Sequence, residues 1–271
     1  ARAFAGAGRF ATARVEKGQL RLRRDPLGAA PLYYGYNAEG TLCFASEVKA
    51  LLGRVVRILE LPPGCELFRG SVLPYYRLEE KPTLAASAEE VARELRLRLE
   101  AAVLDCMGRH EVGSWLSGGL DSSLIAALAR PHQQRLHTFA AGLAGAPDLA
   151  FGAEAADFLK STHHEIVVEL PALIAALPRV IHHLETFDAL LIRSSVTNFI
   201  ASQRASQHVD IVLSGEGGDE LFGGYAYLKD LPLGGLPHLI ADIAADPASA
   251  LNLLERLLVE MERRDREQVS S

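Results

Sequence analysis

The stretch Leu116-Ser117-Gly118-Gly119-Leu120-Asp121-Ser122-Ser123 limits the folds open to this chain more than any other. It follows a short apolar run, Val112 to Leu116, and leads directly into Leu124-Ile125-Ala126-Ala127-Leu128-Ala129, an order that reads strand, glycine turn, helix. Adjacent glycines let a backbone approach a ligand where any Cβ would clash. The unpaired N–H groups of the following helix, with the positive end of its dipole behind them, face the same point. Ser117, Ser122 and Ser123 add hydroxyl groups, and Asp121 adds the carboxylate that a hard cation takes. Each feature suits a polyphosphate held with magnesium. The Walker pattern Gly-x-x-x-x-Gly-Lys-Ser/Thr is absent, and Gly6-Ala7-Gly8 lacks the third glycine of a dinucleotide fingerprint.

Two regions of different pattern surround this motif. From Arg9 to about Arg77 the sequence is β-rich. A hairpin is predicted from Phe10–Val15 and Leu20–Arg23 around Glu16-Lys17-Gly18-Gln19, and a second from Leu32–Tyr36 and Leu42–Phe44. Ser46 is placed to cap a short helix over Glu47–Leu52, and Val55–Leu61 and Cys65–Phe68 read as strands around Pro62-Pro63-Gly64. A boundary is expected near Glu79-Glu80-Lys81-Pro82-Thr83.

Beyond it, Ser87-Ala88-Glu89-Glu90 forms a capping box, and Val91, Leu95, Leu99, Val103 and Cys106 recur on one face of a helix. Strands and helices then alternate: strand Leu136–Ala141, helix Gly152–Lys160, strand Glu165–Leu170, helix Pro171–Leu184 broken or kinked at Pro178, helix Leu190–Gln207, strand Asp210–Leu213. The last strand ends in a second glycine-rich acidic loop, Ser214-Gly215-Glu216-Gly217-Gly218-Asp219-Glu220. This alternation predicts an α/β fold, an open parallel sheet with flanking helices, preceded by a smaller β-rich domain. Ligands of such sheets sit at the carboxyl ends of the strands, and both loops lie at such ends.

The net charge of −6 argues against a nucleic-acid surface, and no apolar run is long enough to span a bilayer. Cys43, Cys65 and Cys106 are widely spaced and odd in number, so they form no zinc or disulfide framework; they are expected in or beside the core, and a reducing cytoplasm is the expected compartment. The adjacent pairs His163-His164 and His182-His183 point in divergent directions, so no metal site is read from them. Leu251, Leu254, Leu257, Leu258 and Met261 mark a terminal amphipathic helix packed on the domain.

Ser-Gly-Gly-x-Asp-Ser is the signature of PP-loop pyrophosphatases, which cleave ATP to AMP and pyrophosphate. Taken with Leu213 to Tyr225, the chain resembles the asparagine synthetase B family. Weaker matches are His137-Thr138-Phe139-Ala140-Ala141-Gly142-Leu143, Thr162-His163-His164-Glu165-Ile166 and Glu185-Thr186-Phe187-Asp188 leading to Ile192-Arg193-Ser194-Ser195. Arg24 to Gly35 and Ala45 to Leu51 resemble the back half of that family's N-terminal glutaminase domain.

The resemblance implies residues 1–82 as a truncated glutaminase-like domain and 83–271 as a synthetase domain of the adenine nucleotide alpha hydrolase type, its C-terminal part truncated. It implies a ligase with ATP and Mg2+ as cofactors. Such an enzyme adenylates the aspartate side chain, then forms asparagine with ammonia and releases AMP and pyrophosphate. ATP would be held by Leu116, Ser117, Gly118, Gly119, Asp121, Ser122, Ala141, Ser214 and Gly215, and the metal by Asp121 and Asp219. Glu216 would orient or deprotonate ammonia beside the acyl-adenylate, with Asp121 and Asp219 completing the catalytic set, and Arg193 would pair with a substrate carboxylate. Partners would be small molecules, with no nucleic acid and no membrane, and a homodimer is a candidate assembly.

The family's glutaminase uses a cysteine at the mature N-terminus as nucleophile, whereas this chain starts at Ala1 and the upstream half of that domain has no counterpart, so glutamine hydrolysis is not expected of the chain as given. Leu190-Leu191 stands where the family carries threonines, and the family's downstream lysine has no match. Alternative readings are therefore a β-lactam synthetase or peptide-cyclase-like amide former, or a non-catalytic nucleotide-binding subunit.

Overall fold

Lys17 and Gly18 both sit at positive φ, 51° and 77°, so the chain reverses within two residues. This turn joins β1 (Ala11–Glu16) to β2 (Gln19–Arg24), the first hairpin expected from sequence. The computed structural model describes residues 9–77, 85–108, 110–222 and 224, and the chain divides between Lys81 and Pro82 into two compact units. The predicted boundary at 79–83 and the terminal helix over 251–261 lie outside the described residues.

In the first unit, β3 (Tyr33–Tyr36) and β4 (Leu42–Ala45) form the second hairpin. They join β5 (Leu59–Glu60) in a three-stranded sheet, while β1 and β2 continue into β6 (Cys65–Phe68) and β7 (Ser71–Pro74). Leu22, Leu67, Tyr34, Leu32 and Leu61 make a core that draws on both sheets. The loop after β2 is tied by buried polar groups. Asp25 accepts from the backbone N–H of Leu27, Ala29 and Ala30 at 3.1, 3.0 and 2.9 Å. Arg24 donates to the carbonyls of Ala30, Gly28 and Leu61, each at 2.8 Å.

Two expectations are corrected here. The helix predicted over 47–52 is only a 3₁₀ turn, Val48–Ala50, capped by Glu47 with no side-chain bond rather than by Ser46. Of the strand predicted over 55–61, only Leu59 and Glu60 pair with β3.

The second unit begins with α1 (Ala88–Met107), whose capping box is present: Ser87 Oγ accepts from Glu90 N at 3.3 Å and the Glu90 carboxylate from Ser87 N at 2.8 Å. Its buried residues are Val103 and Met107, whereas Val91 is 42% exposed and Cys106 is exposed, so only the C-terminal part of the predicted stripe meets the core. Then follow β8 (Val112–Trp115), α2 (Leu120–Ala129), β9 (His137–Gly142), α3 (Pro147–Leu159) and β10 (Thr162–Val167). α4 (Leu170–Leu184) runs unbroken through Pro178 and packs against α5 (Ala189–Ala205) through Val180, Ile192 and Val196. The chain then enters β11 (Ile211–Leu213) and the short α6 (Gly218–Phe222).

All neighbours in the sheet are parallel, in the order β10-β9-β8-β11. Val103, Met107, Ala126, Ala129 and Ala156 bring α1, α2 and α3 into one core. Ala201 and Ala205 bring α5 into the other with Phe139 and Ile166. The sheet therefore carries helices on both faces, the predicted fold class. The chain steps outward from β8 to β10, and α4 and α5 return it so that β11 lies on the opposite side of β8. This reversal opens a crevice between the carboxyl ends of β8 and β11, the usual ligand position in an open α/β sheet.

Candidate active site

The crevice is built by the two glycine loops, because each follows one of the two adjoining strands. Ser117, Gly119, Asp121 and Ser122 line it from the first loop, and Ser214, Gly215, Glu216 and Asp219 from the second, around a cleft of about 350 Å³. Eight residues singled out from sequence thus meet in one cavity.

Within the first loop the serines hold the turn. Ser117 N donates to Ser122 Oγ at 3.2 Å, the two hydroxyls lie 3.0 Å apart, and Gly119 N donates to Ser117 Oγ at 3.3 Å. Gly119 caps α2 without a side-chain acceptor, so the first N–H groups of that helix face the cleft. The adjacent glycines have different roles. Gly118 has φ +81°, and a Cβ on it would collide with the backbone of Phe151 in α3. It serves a left-handed turn and tight packing, and it is not among the residues lining the cleft.

The second loop presses on Asp121. A Cβ on Gly215 would lie 2.7 Å from the Asp121 carbonyl carbon, and one on Gly218 would lie 2.7 Å from the Asp121 Cγ. The Asp121 carboxylate is therefore packed under backbone of the other loop. Glu216 N donates to Ser214 Oγ at 3.2 Å, which fixes the start of this loop. Asp121, Glu216, Asp219 and Glu220 give the cleft a cluster of carboxylates beside backbone N–H groups, a donor set that fits a magnesium polyphosphate.

Leu116 and Ala141 stand at the carboxyl ends of β8 and β9; Leu116 is fully buried and its N–H donates to Phe139 O at 2.8 Å. Neither lines the cleft, and Arg193 on α5 is exposed and also outside the lining. Sequence reasoning missed Asn198 and Ser202, which α5 presents to the cleft one turn apart, and Trp115 and Glu220. The signal for the first two was a polar i, i+4 pair on a helix whose buried residues, Ile192, Val196, Ala201 and Ala205, pack against α4 and the sheet.

The family model described as asparagine synthase matches residues 94–269, and a glutamine amidotransferase domain model matches residues 3–53. A glutamine-hydrolyzing asparagine synthetase of Zea mays is 39% identical over 224 residues, which is 77% of this chain and 38% of that protein. Asparagine synthetase B of Escherichia coli (strain K12), also glutamine-hydrolyzing, is 38% identical over 242 residues, 82% of this chain and 44% of that protein. The chain thus spans about two fifths of the length of these relatives. Among solved structures, the NMN synthetase from Francisella tularensis is similar at 19% identity and a TM-score of 0.37, over 53% of this chain and 60% of that one.

Proposed function

Since the chain belongs to the asparagine synthase family, we propose that it activates a carboxylate, in the first instance the aspartate side chain, with ATP and passes it to ammonia as an amide. The carboxylate oxygen attacks the α-phosphorus, pyrophosphate leaves, and ammonia then displaces AMP from the acyl-adenylate. On this reading the N–H groups at Gly119 and the start of α2, with Ser117 and Ser122, bind the departing pyrophosphate. Asp121 and Asp219 would hold Mg2+, whose charge offsets that of the phosphates. Glu216 is the proposed group that orients or deprotonates ammonia, and Arg193 the proposed partner of a substrate carboxylate. The adenosine is proposed to lie against backbone at Leu116, Ala141 and Gly215. Cytoplasmic location and a homodimeric assembly belong to the same reading.

The observation that supports this function is the meeting of Asp121 and Asp219, from loops far apart in sequence, in one cleft beside the first turn of α2. The test is product analysis with MgATP, aspartate and ammonia. AMP and pyrophosphate should appear in equal amounts. Asp219→Asn should cut the rate on the order of a hundredfold or more with an unchanged circular dichroism spectrum. Release of ADP and phosphate instead would refute the reading, and a panel of other carboxylates in the same assay identifies the acceptor.

A further inference from the structure

At the opposite ends of the same strands three imidazoles meet. His137 opens β9, His164 lies in β10, and His208 sits in the turn between α5 and β11. The pairing of Thr162 with His137 and of His164 with Phe139 puts both histidines on the face of the sheet that α5 covers. His163 turns to the other face, where Thr138 Oγ1 lies 3.0 Å from its Nδ1. Adjacent histidines therefore diverge as sequence geometry requires, but His164 meets partners from elsewhere in the chain.

One nitrogen from each of His137, His164 and His208 lies within 4.8 Å of the other two. His137 Nδ1 and His164 Nε2 are 2.8 Å apart, and the ring centroids of His164 and His208 are separated by 4.1 Å. His137 is buried, His164 is half-buried, and His208 is exposed, so the group is open to solvent on one side only.

We propose that His137, His164 and His208 form a site for a divalent transition metal of the zinc type, which ties β9, β10 and the α5–β11 turn together. Three neutral nitrogen donors suit Zn2+, Co2+, Ni2+ or Cu2+ and not the oxygen-seeking Mg2+ of the cleft. The exposed side at His208 leaves the fourth tetrahedral position to water. Zinc–nitrogen bonds of about 2.0–2.1 Å set ligand nitrogens roughly 3.3 Å apart. The closest pair therefore opens slightly, and the widest separations close by no more than about 1.5 Å, the difference between 4.8 and 3.3 Å. His208, on a surface turn, supplies that movement. Burial, the first cause, lowers the proton affinity of His137 and His164, which favours the neutral imidazoles that a metal takes. Among charged neighbours, Arg135 opposes a cation at both rings and Glu111 favours one at His137.

The full chain, dialysed against a chelator, is titrated with Co2+ as a spectroscopic probe and with Zn2+ by calorimetry. Wild type should bind a single equivalent, with the visible bands of low-coordinate Co2+, and Zn2+ should raise its melting temperature. His208→Ala keeps the fold because the residue is exposed. It should weaken binding roughly tenfold or more and remove the thermal shift. Asp219→Asn, in the cleft, should bind Zn2+ as wild type does. Equal affinity in wild type and His208→Ala, or no Co2+ bands in wild type at micromolar protein, overturns the site and leaves the rings as packing around Phe139, whose ring centroid is 4.9 Å from that of His164.

Discussion

At Gly215 a single methyl group would have to occupy space already taken by Asp121, with its Cβ 2.7 Å from that residue's carbonyl carbon and 2.9 Å from its Cβ. The loops can meet only if this position carries hydrogen. Gly215→Ala should therefore cost about 1–3 kcal/mol, read as a lower melting temperature, and should raise the KM for MgATP more than it lowers kcat. Gly217, at φ +96° and with nothing within 4 Å of where a methyl would stand, provides the contrast. There Gly217→Ala carries only backbone strain, about 1 kcal/mol, and should leave the KM nearly unchanged. Sequence made Asp121, Ser122 and the second loop legible because glycines and acids stand at strand ends, where ligands bind. It did not reveal Asn198 and Ser202, since a polar pair on a helix reads first as a solvated face. Nor did it reveal the histidine triad: His137 and His164 are 27 residues apart, and only strand register brings them side by side.

At the scale of elements, α5 carries the most contacts of functional interest. Its Asn198 and Ser202 line the cleft, Ile192 and Val196 pack against α4, and Ala201 and Ala205 pack against the sheet. The helix starts at Asp188, whose Oδ1 accepts from Leu191 N at 2.8 Å. Asp188→Ala leaves that N–H without its acceptor and should destabilise the protein by about 1 kcal/mol. Asp188→Asn keeps an oxygen in place and should lose only a fraction of this, the two being compared by urea midpoints at constant slope. Capping chemistry was readable in the sequence where it was strong, as in the reciprocal pair Ser87 and Glu90. It misled at Ser46, where the turn is a single 3₁₀ segment. α3 begins at Pro147, well before the predicted Gly152, and proline in its first turn was the unused signal. β7 and α6 were missed because four exposed residues and five residues, respectively, are too few to set up a period.

For the whole molecule the division between Lys81 and Pro82 implies that a local loss in one unit should stay there. Asp25 offers a way to test this. Burial tends to raise its pKa, but the backbone donors at Ala30, Ala29 and Leu27 together outweigh that effect and hold it below the ordinary carboxylate value. A carboxylate with a depressed folded pKa stabilises fully above its unfolded pKa, about 3.9, and that stability is lost as pH falls through the folded value. The first unit should accordingly hold its amide protection down to about pH 4 and lose it below, β2 and β6 included. Asp25→Ala leaves the three N–H groups without an acceptor, so it should cost about 2 kcal/mol at neutral pH and flatten the acid dependence. Hydrogen exchange resolved by peptide measures both units in one sample. Protection across β8, β9 and β10 should match between wild type and Asp25→Ala at each pH. A parallel loss there would mean that the sheet carrying the cleft draws stability from the β-rich unit, and that the two compact units unfold as one.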